Sequence, residues 1–259
     1  MSNEPDTTGT AVVRRRRRRA WISVAAVVLG VVIAVVGWWG YRRYLTSLHG
    51  LDVVLDRSKY PVRGIDVSHH NGLIDFGAVR GDSIDFVYIK ASDGVGDVDS
   101  NFVRNYHAAK AAGLKVGAYH FFRTHRGGRQ QAAALLDAVS GLDLDLPLVI
   151  DLETESHERG NKADVVPRVR TMLYHLHDAG YRTMLYANYD QFSDFIDGNF
   201  SNEDLWLATS REPSHEFDPR TVWQFSHHGS VSGIDGPVDL NAFIGTPETF
   251  GKWSSSARR

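Results

Sequence analysis

Between Val62 and Asp197 the chain alternates short apolar runs with segments of helical periodicity, and this alternation restricts the fold more than any other feature. Val62–Ser68 (VRGIDVS), Phe86–Ser92 (FVYIKAS), Lys115–Phe122, Leu146–Glu153 (LPLVIDLE) and Arg182–Asn188 (RTMLYAN) read as strands. Asn101–Gly113, Arg129–Ser140 and Ala163–Ala179 read as helices, each ended by a glycine, with Pro167 in the first turn of the third. Gln191–Asp197 reads as a short helix. Beyond it the helical signal fades, and Leu205–Ser210, Thr221–Ser226 and Val238–Phe243 follow as strand candidates joined by loops. Repeated strand–helix units form a largely parallel sheet covered by helices. About eight strands in roughly 190 residues predict an irregular β/α barrel with fewer helices than a full one. The alternative is an open doubly wound sheet, but its nucleotide fingerprints are absent: Gly94-Val-Gly96 lacks the third glycine and no G-x-x-x-x-G-K-[ST] occurs.

Charge is unevenly distributed. Residues 1–62 carry ten Lys/Arg and four Asp/Glu, whereas residues 63–259 carry 19 and 27. The acidic larger part lacks the basic footprint that binding to nucleic acid requires. There is no cysteine, so disulfides, thiolate metal sites and a cysteine nucleophile are excluded.

The basic excess at the N-terminus has a specific form. Residues 1–13 are small and polar, and residues 1–19 read as a disordered basic tail that ends in six consecutive arginines, Arg14–Arg19. Ala20–Gly40 then runs for 21 residues without a charge. At ~1.5 Å per residue that is about 30 Å, the thickness of a bilayer core. Trp21 stands at one end and Trp38, Trp39, Tyr41 and Tyr44 at the other, where interfacial aromatics belong. The arginine run predicts a cytoplasmic N-terminus and an external C-terminal domain. A cleaved signal peptide would have a shorter apolar core and a small-residue cleavage site, so an uncleaved single-pass anchor is the expectation. Residues 41–62 then read as a stalk, 63–253 as the globular domain and 254–259 as a disordered tail.

Candidate chemistry concentrates on three strands. In LPLVIDLE, period-two alternation puts Asp151 and Glu153 on one side and Ile150 and Leu152 on the other. Two carboxyls therefore project together from the end of a central strand, and in a barrel that end opens into the active site. Asp66 lies in the same pattern on the first strand, and Asp239 sits near the start of the last. Crowded, buried carboxyls are driven apart in acidity, so that one keeps its proton while another is charged, as glycoside hydrolysis requires.

The segments RGIDVSHHNGLIDF, FVYIKASDG, GLKVGAYHFF, LPLVIDLE and VWQFSHHGSVSGIDGPVDLNAF, in that order, resemble the signature segments of glycoside hydrolase family 25 over roughly Arg63–Trp253. The resemblance implies an irregular β/α barrel that cuts the β-1,4 bond between N-acetylmuramic acid and N-acetylglucosamine in peptidoglycan, with no metal or organic cofactor. By position it implies Glu153 as general acid and Asp151 as its partner, acting either as nucleophile or on the substrate's acetamido group. Asp66 and Asp239 match two further acids of the family's site, and Tyr119, His120, Tyr186 and Trp223 fall in segments expected to line the sugar cleft. Two positions depart from the family pattern: Asp93 stands where a Glu is usual, and Ser210 where an aromatic is usual.

Other chemistries find less support. None of the twelve histidines forms a zincin motif, and they read as solvated loop or surface residues. Gly229-Ser-Val-Ser-Gly233 has valine at its centre and is no nucleophile elbow. A non-catalytic wall-binding module on a membrane tether is the rival reading; it would not need Asp151 and Glu153. An enzyme for a different glycan is a third.

Overall fold

The computed structural model describes residues 55–153, 160–213 and 220–258, together with Gly30, Gly37 and Trp38. Those last three are helical and, by exposure, open to solvent. The rest of the predicted anchor, the basic tail and the first part of the stalk lie outside the described residues. Among the described residues no helix is long and apolar enough to cross a membrane.

Among the described residues nine strands form one sheet. They are β1 (Arg63–Val67), β2 (Phe86–Asp93), β3 (Asp97–Val98), β4 (Lys115–Phe121), β5 (Leu148–Asp151), β6 (Thr183–Asn188), β7 (Asp204–Ala208), β8 (Arg220–Gly229) and β9 (Val238–Phe243). Their order is β1-β9-β8-β7-β6-β5-β4-β2-β3, and β1 also pairs with β2, so eight strands close into a barrel while β3 hangs outside. Pairing is parallel from β1 through β2, β4, β5, β6 and β7 to β8. The seam is different: β9 runs antiparallel to both neighbours. The predicted β/α barrel is therefore observed, with this reversal at its closing strand.

Helices α1 (Phe76–Gly81), α2 (Phe102–Ala111), α3 (Gly128–Ala138), α4 (Lys162–Asp178) and α5 (Pro247–Trp253) accompany the strands. Two of these, α1 and α5, are absent from the sequence reading. The first is only six residues long with a glycine at each side of its centre, capped by Asp75, whose side chain accepts from the Ala78 N–H. The second carries a readable start signal: Thr246 and Thr249 form a capping box, and Pro247 supplies the first turn.

Two apolar layers follow from strand alternation. One face of each strand packs under the helices, where Ile65, Val67, Val87, Ile89, Val116, Ala118, Ile150 and Leu185 join Leu135, Val169 and Leu176. The opposite face fills the lower barrel with Phe86, Tyr88, Leu146, Val149, Met184, Trp206, Val222 and Phe243, closed by Phe250 from α5. Two strand glycines make room for this plug. A Cβ on Gly64 would sit 2.3 Å from the Phe86 ring, and one on Gly117 2.2 Å from the Tyr88 ring.

Among the described residues no helix packs over β8 and β9, and the chain just upstream of β1 covers them instead. Tyr60 is buried edge-on against Trp223, ring centroids 5.4 Å apart, with Leu55 beside the cluster of Trp223, Phe225 and Ala242. The expected stalk thus stops short of its predicted end at Val62: residues 55–62 belong to the domain, because the reversed seam exposes an apolar face that needs a partner. The C-terminal tail is also corrected. Ser254 and Ala257 are buried, the Arg182 N–H donates to the Ala257 carbonyl, and Arg258 donates to the Tyr181 hydroxyl.

Candidate active site

The C-terminal ends of the parallel strands meet the N-terminal end of β9, because β9 runs the other way. That reversal brings Asp239, the second residue of β9, level with Asp66 near the end of β1, where the two are direct cross-strand partners. Asp151 ends β5, and Glu153 follows it two residues on, its N–H donating to Asp151 Oδ1 at 2.9 Å. All four acids line one cleft of about 520 Å³, with Tyr119, Tyr186 and Trp206 among its walls. Acids far apart in sequence, Asp66 and Asp239 foremost, are therefore assembled by barrel closure.

A buried polar chain forms the floor. Asp66 Oδ2 accepts from Asn241 Nδ2 at 2.7 Å and from Gln224 Nε2 at 3.1 Å. Asn241 Oδ1 in turn accepts from Trp206 Nε1, and Gln224 Oε1 from the Tyr186 hydroxyl. One carboxylate thus fixes an indole on one side and a phenol on the other, each through an amide. Opposite them, Asp93 bridges Lys90 Nζ at 2.8 Å and Arg123 Nε at 2.6 Å. Burial opposes the ionisation of Asp93, but the hydrogen bonds and charges of Arg123 and Lys90 together outweigh it and hold its carboxyl below the usual range. The shorter acid at this position still reaches both cations.

Three of the central acids behave differently. Burial, and then repulsion from Asp239, pushes the Asp66 carboxyl well above its ordinary range. Burial, and then repulsion from Glu153, does the same to Asp151. Burial also raises Glu153; the charge of His227 pulls it back, and Asp239 pushes it up again. The stronger rise falls on Asp151 and Asp66 rather than on Glu153, since those two are sunk deeper between strands. Asp151 and Glu153 titrate as a pair, so loss of the first proton makes the second harder to remove.

Two of the expected cleft residues lie elsewhere. His120 is fully buried: its ring nitrogens meet the Ser92 hydroxyl at 2.8 Å and Gln131 Oε1 at 3.1 Å, and burial pushes it down to about 4, so it stays neutral. It faces α3 because it neighbours Tyr119 on β4, and adjacent strand residues point to opposite sides. Trp223 is displaced by the same alternation. Gln224 points inward, so Trp223 turns outward into the cluster under Tyr60, donating to the Thr209 carbonyl at 2.7 Å. Trp206, which the sequence reading passed over, takes the inner place.

His69 and His70 are exposed on the turn after β1, as expected of solvated loop histidines, and together with half-buried His227 they also border the cleft. His69 Nδ1 meets the buried carboxylate of Asp99, and His227 Nδ1 meets Asp239 Oδ1, both at 2.7 Å. A second cavity of about 530 Å³ shares His69, Lys90, Asp93 and Arg123 with the first and continues over the β2–β3 turn. Among the described residues, no group of three or more His, Asp or Glu side chains is arranged to hold a metal ion.

Barrel and site define a class: a β/α-barrel protein whose paired acids open at the carboxyl ends of its strands. Comparison with known proteins makes this specific. Residues 65–234 match glycosyl hydrolases family 25. An autolytic lysozyme from Clostridium acetobutylicum is 33% identical over 184 residues, covering 70% of this chain and 56% of that protein. Lysozyme M1 from Streptomyces globisporus is 31% identical, covering 71% of this chain and 68% of its own. A family 25 glycosyl hydrolase of known structure from Bacillus anthracis superposes with a TM-score of 0.72 at 29% identity, covering 80% of this chain and 97% of that one. The chain belongs to glycosyl hydrolases family 25. It spans a little over half the length of the clostridial relative.

Proposed function

We propose that this protein is a muramidase that hydrolyses the β-1,4 bond between N-acetylmuramic acid and N-acetylglucosamine in peptidoglycan. The observation that carries the reading is the meeting of Asp66, Asp151, Glu153 and Asp239 in one cleft at the open end of a family 25 barrel. Similarity to two proteins named as lysozymes supports the substrate. Glu153 sits on the less constrained side of the acid pair, past the end of β5, and gives its proton to the departing glycosidic oxygen. Asp151, held by the Glu153 N–H, faces the sugar from which that oxygen leaves and steadies the positive charge that develops there, either by direct attack or by orienting the acetamido group. Water completes the hydrolysis, and Glu153 recovers a proton from it. Half-buried Tyr119 and buried Tyr186 border the cleft where a sugar would lie, and burial keeps both phenols protonated well beyond their ordinary range. Peptidoglycan glycan strands are the substrate, and no metal or organic cofactor takes part in this chemistry.

The same proposal includes attachment to the cytoplasmic membrane through residues 20–40, with the N-terminus inside and the domain outside. Its support is the uncharged span between six arginines and a cluster of aromatics. Digestion of purified peptidoglycan tests the activity: new reducing ends of N-acetylmuramic acid are expected. Reducing N-acetylglucosamine, or binding without any new ends, would refute it and favour another glycosidase or a wall-binding module.

A further inference from the structure

Strand β8 carries two irregularities against β9. Gln224 pairs with Asn241 and Ser226 with Leu240, and then Gly229 with Val238. Each step leaves one extra residue on β8, which is what a bulge does. The consequence is a change of parity. Gln224 points into the barrel, while Trp223 and Phe225 pack outside it. In a regular strand His227 would share the outward side with Trp223 and Phe225. It instead lines the cleft, its Nδ1 2.7 Å from Asp239 Oδ1. Bulges beside active sites commonly re-aim a side chain in this way.

Asp239 as a carboxylate can only accept, so His227 Nδ1 carries the proton of their bond. Any change of charge on the ring therefore takes place at Nε2. With Nε2 protonated, the His227–Asp239 pair is neutral; without that proton it presents one negative charge to Glu153. We propose that His227, turned inward by the β8 bulge and clamped by Asp239, is a positioning residue for Glu153 that supplies a switchable positive charge beside the acid. This inference rests on Glu153 being the proton donor.

The surroundings single out His227 for this role. From β2 the cleft receives Lys90 and Asp93, and from the end of β4 Tyr119 and Arg123; both cations there are bound to Asp93. His69, beyond β1, is bound to Asp99, with the ring of His70 stacked on it. Among the described residues, Asp66 from β1, Asp151 from β5, Tyr186 from β6 and Asp239 from β9 are the other titratable groups lining the cleft, and none of these is cationic. The charge of His227 is the strongest influence favouring the ionised form of Glu153.

The test is the pH profile of kcat/KM on purified peptidoglycan, using the full chain. Removing the cation lets Glu153 keep its proton to higher pH, so His227→Gln should move the alkaline limb upward by roughly one pH unit, the low end for an opposite charge close by. His227→Lys keeps a cation and should not move it upward. An unmoved limb in folded His227→Gln, or the same upward move in both variants, overturns the inference. Glu153→Gln run alongside separates the two claims: if it stays active, the acid assignment itself fails. Should His227→Gln not fold, the carboxyl carbon of Glu153 can be titrated by NMR in the unsubstituted protein. Beyond any inflection shared with Asp151, one is expected at the pH where the His227 ring titrates, and its absence overturns the inference.

Discussion

The two ends of the barrel interior are built from the same strands yet follow opposite rules. At the lower end Phe86, Tyr88, Met184, Trp206 and Phe243 interlock, and α5 seals them with Phe250. At the upper end the inward positions of β1, β5 and β9 carry Asp66, Asp151 and Asp239, which border an open cleft. The lower end gains stability by excluding water from apolar rings. The upper end concentrates carboxyls whose ionisation burial opposes. One end stabilises the fold, and the other uses part of that stability to hold reactive groups in place.

This contrast can be broken at several points. The largest effect is expected in the plug. Phe86→Ala would leave a cavity beneath Gly64 and cost about 3–5 kcal/mol, measurable as a shift of the urea midpoint. Activity per folded molecule should persist, since Phe86 lies outside the cleft; its loss would mean that the two ends are not separable. A smaller loss is expected at their junction. Asn241→Leu removes partners from both Trp206 Nε1 and Asp66 Oδ2, costing about 1–3 kcal/mol and also lowering activity, because Asp66 loses its clamp. An effect on stability alone would show that the floor network does not serve the site.

The smallest effect has the opposite sign. Asp151 binds its proton more tightly in the folded state than in the unfolded chain. Its contribution is therefore fully favourable below the unfolded value and is lost as pH rises through the folded one. Asp151→Asn cannot ionise, and its amide oxygen can still accept the Glu153 N–H. It should raise the unfolding temperature at neutral pH by roughly 2–4 °C, about 1 kcal/mol for a domain of this size, while abolishing turnover. The gain should vanish in acid. A variant equally stable at both pH values would contradict a buried, strained carboxyl.

How much of this was legible in the sequence differs between the two halves of the barrel. From β1 to β6, strands buried under helices leave apolar runs, and amphipathic helices ended by glycines separate them. Their bounds fall within a few residues of those read; the strand read as Leu146–Glu153 is observed as Leu148–Asp151. The acid set was legible because Asp151 and Glu153 alternate with apolar residues on a single strand. Beyond β7 the strands themselves were legible, and Val238–Phe243 is β9 as read, but the side each residue faces was not. The bulges in β8 shift parity, and no rule of period two would turn His227 inward and leave Trp223 outside. His120 and Trp223 were misjudged for a related reason: an aromatic or a histidine on a barrel strand has two sides to choose from, and only the neighbouring strands settle which one is wet. The packing of Tyr60 on Trp223 was equally invisible, because it answers a gap in helical cover that exists only in three dimensions.

The central claim is that Glu153 is the proton donor of a muramidase cleft. The most direct measurement is the rate at which Glu153→Gln and the unsubstituted chain release new reducing N-acetylmuramic acid ends from purified peptidoglycan, with unfolding curves recorded for both. The account predicts a fall of at least ~10²-fold, the scale of general acid catalysis, with the unfolding midpoint preserved. A folded Glu153→Gln protein that cuts at a rate near that of the unsubstituted chain would contradict it.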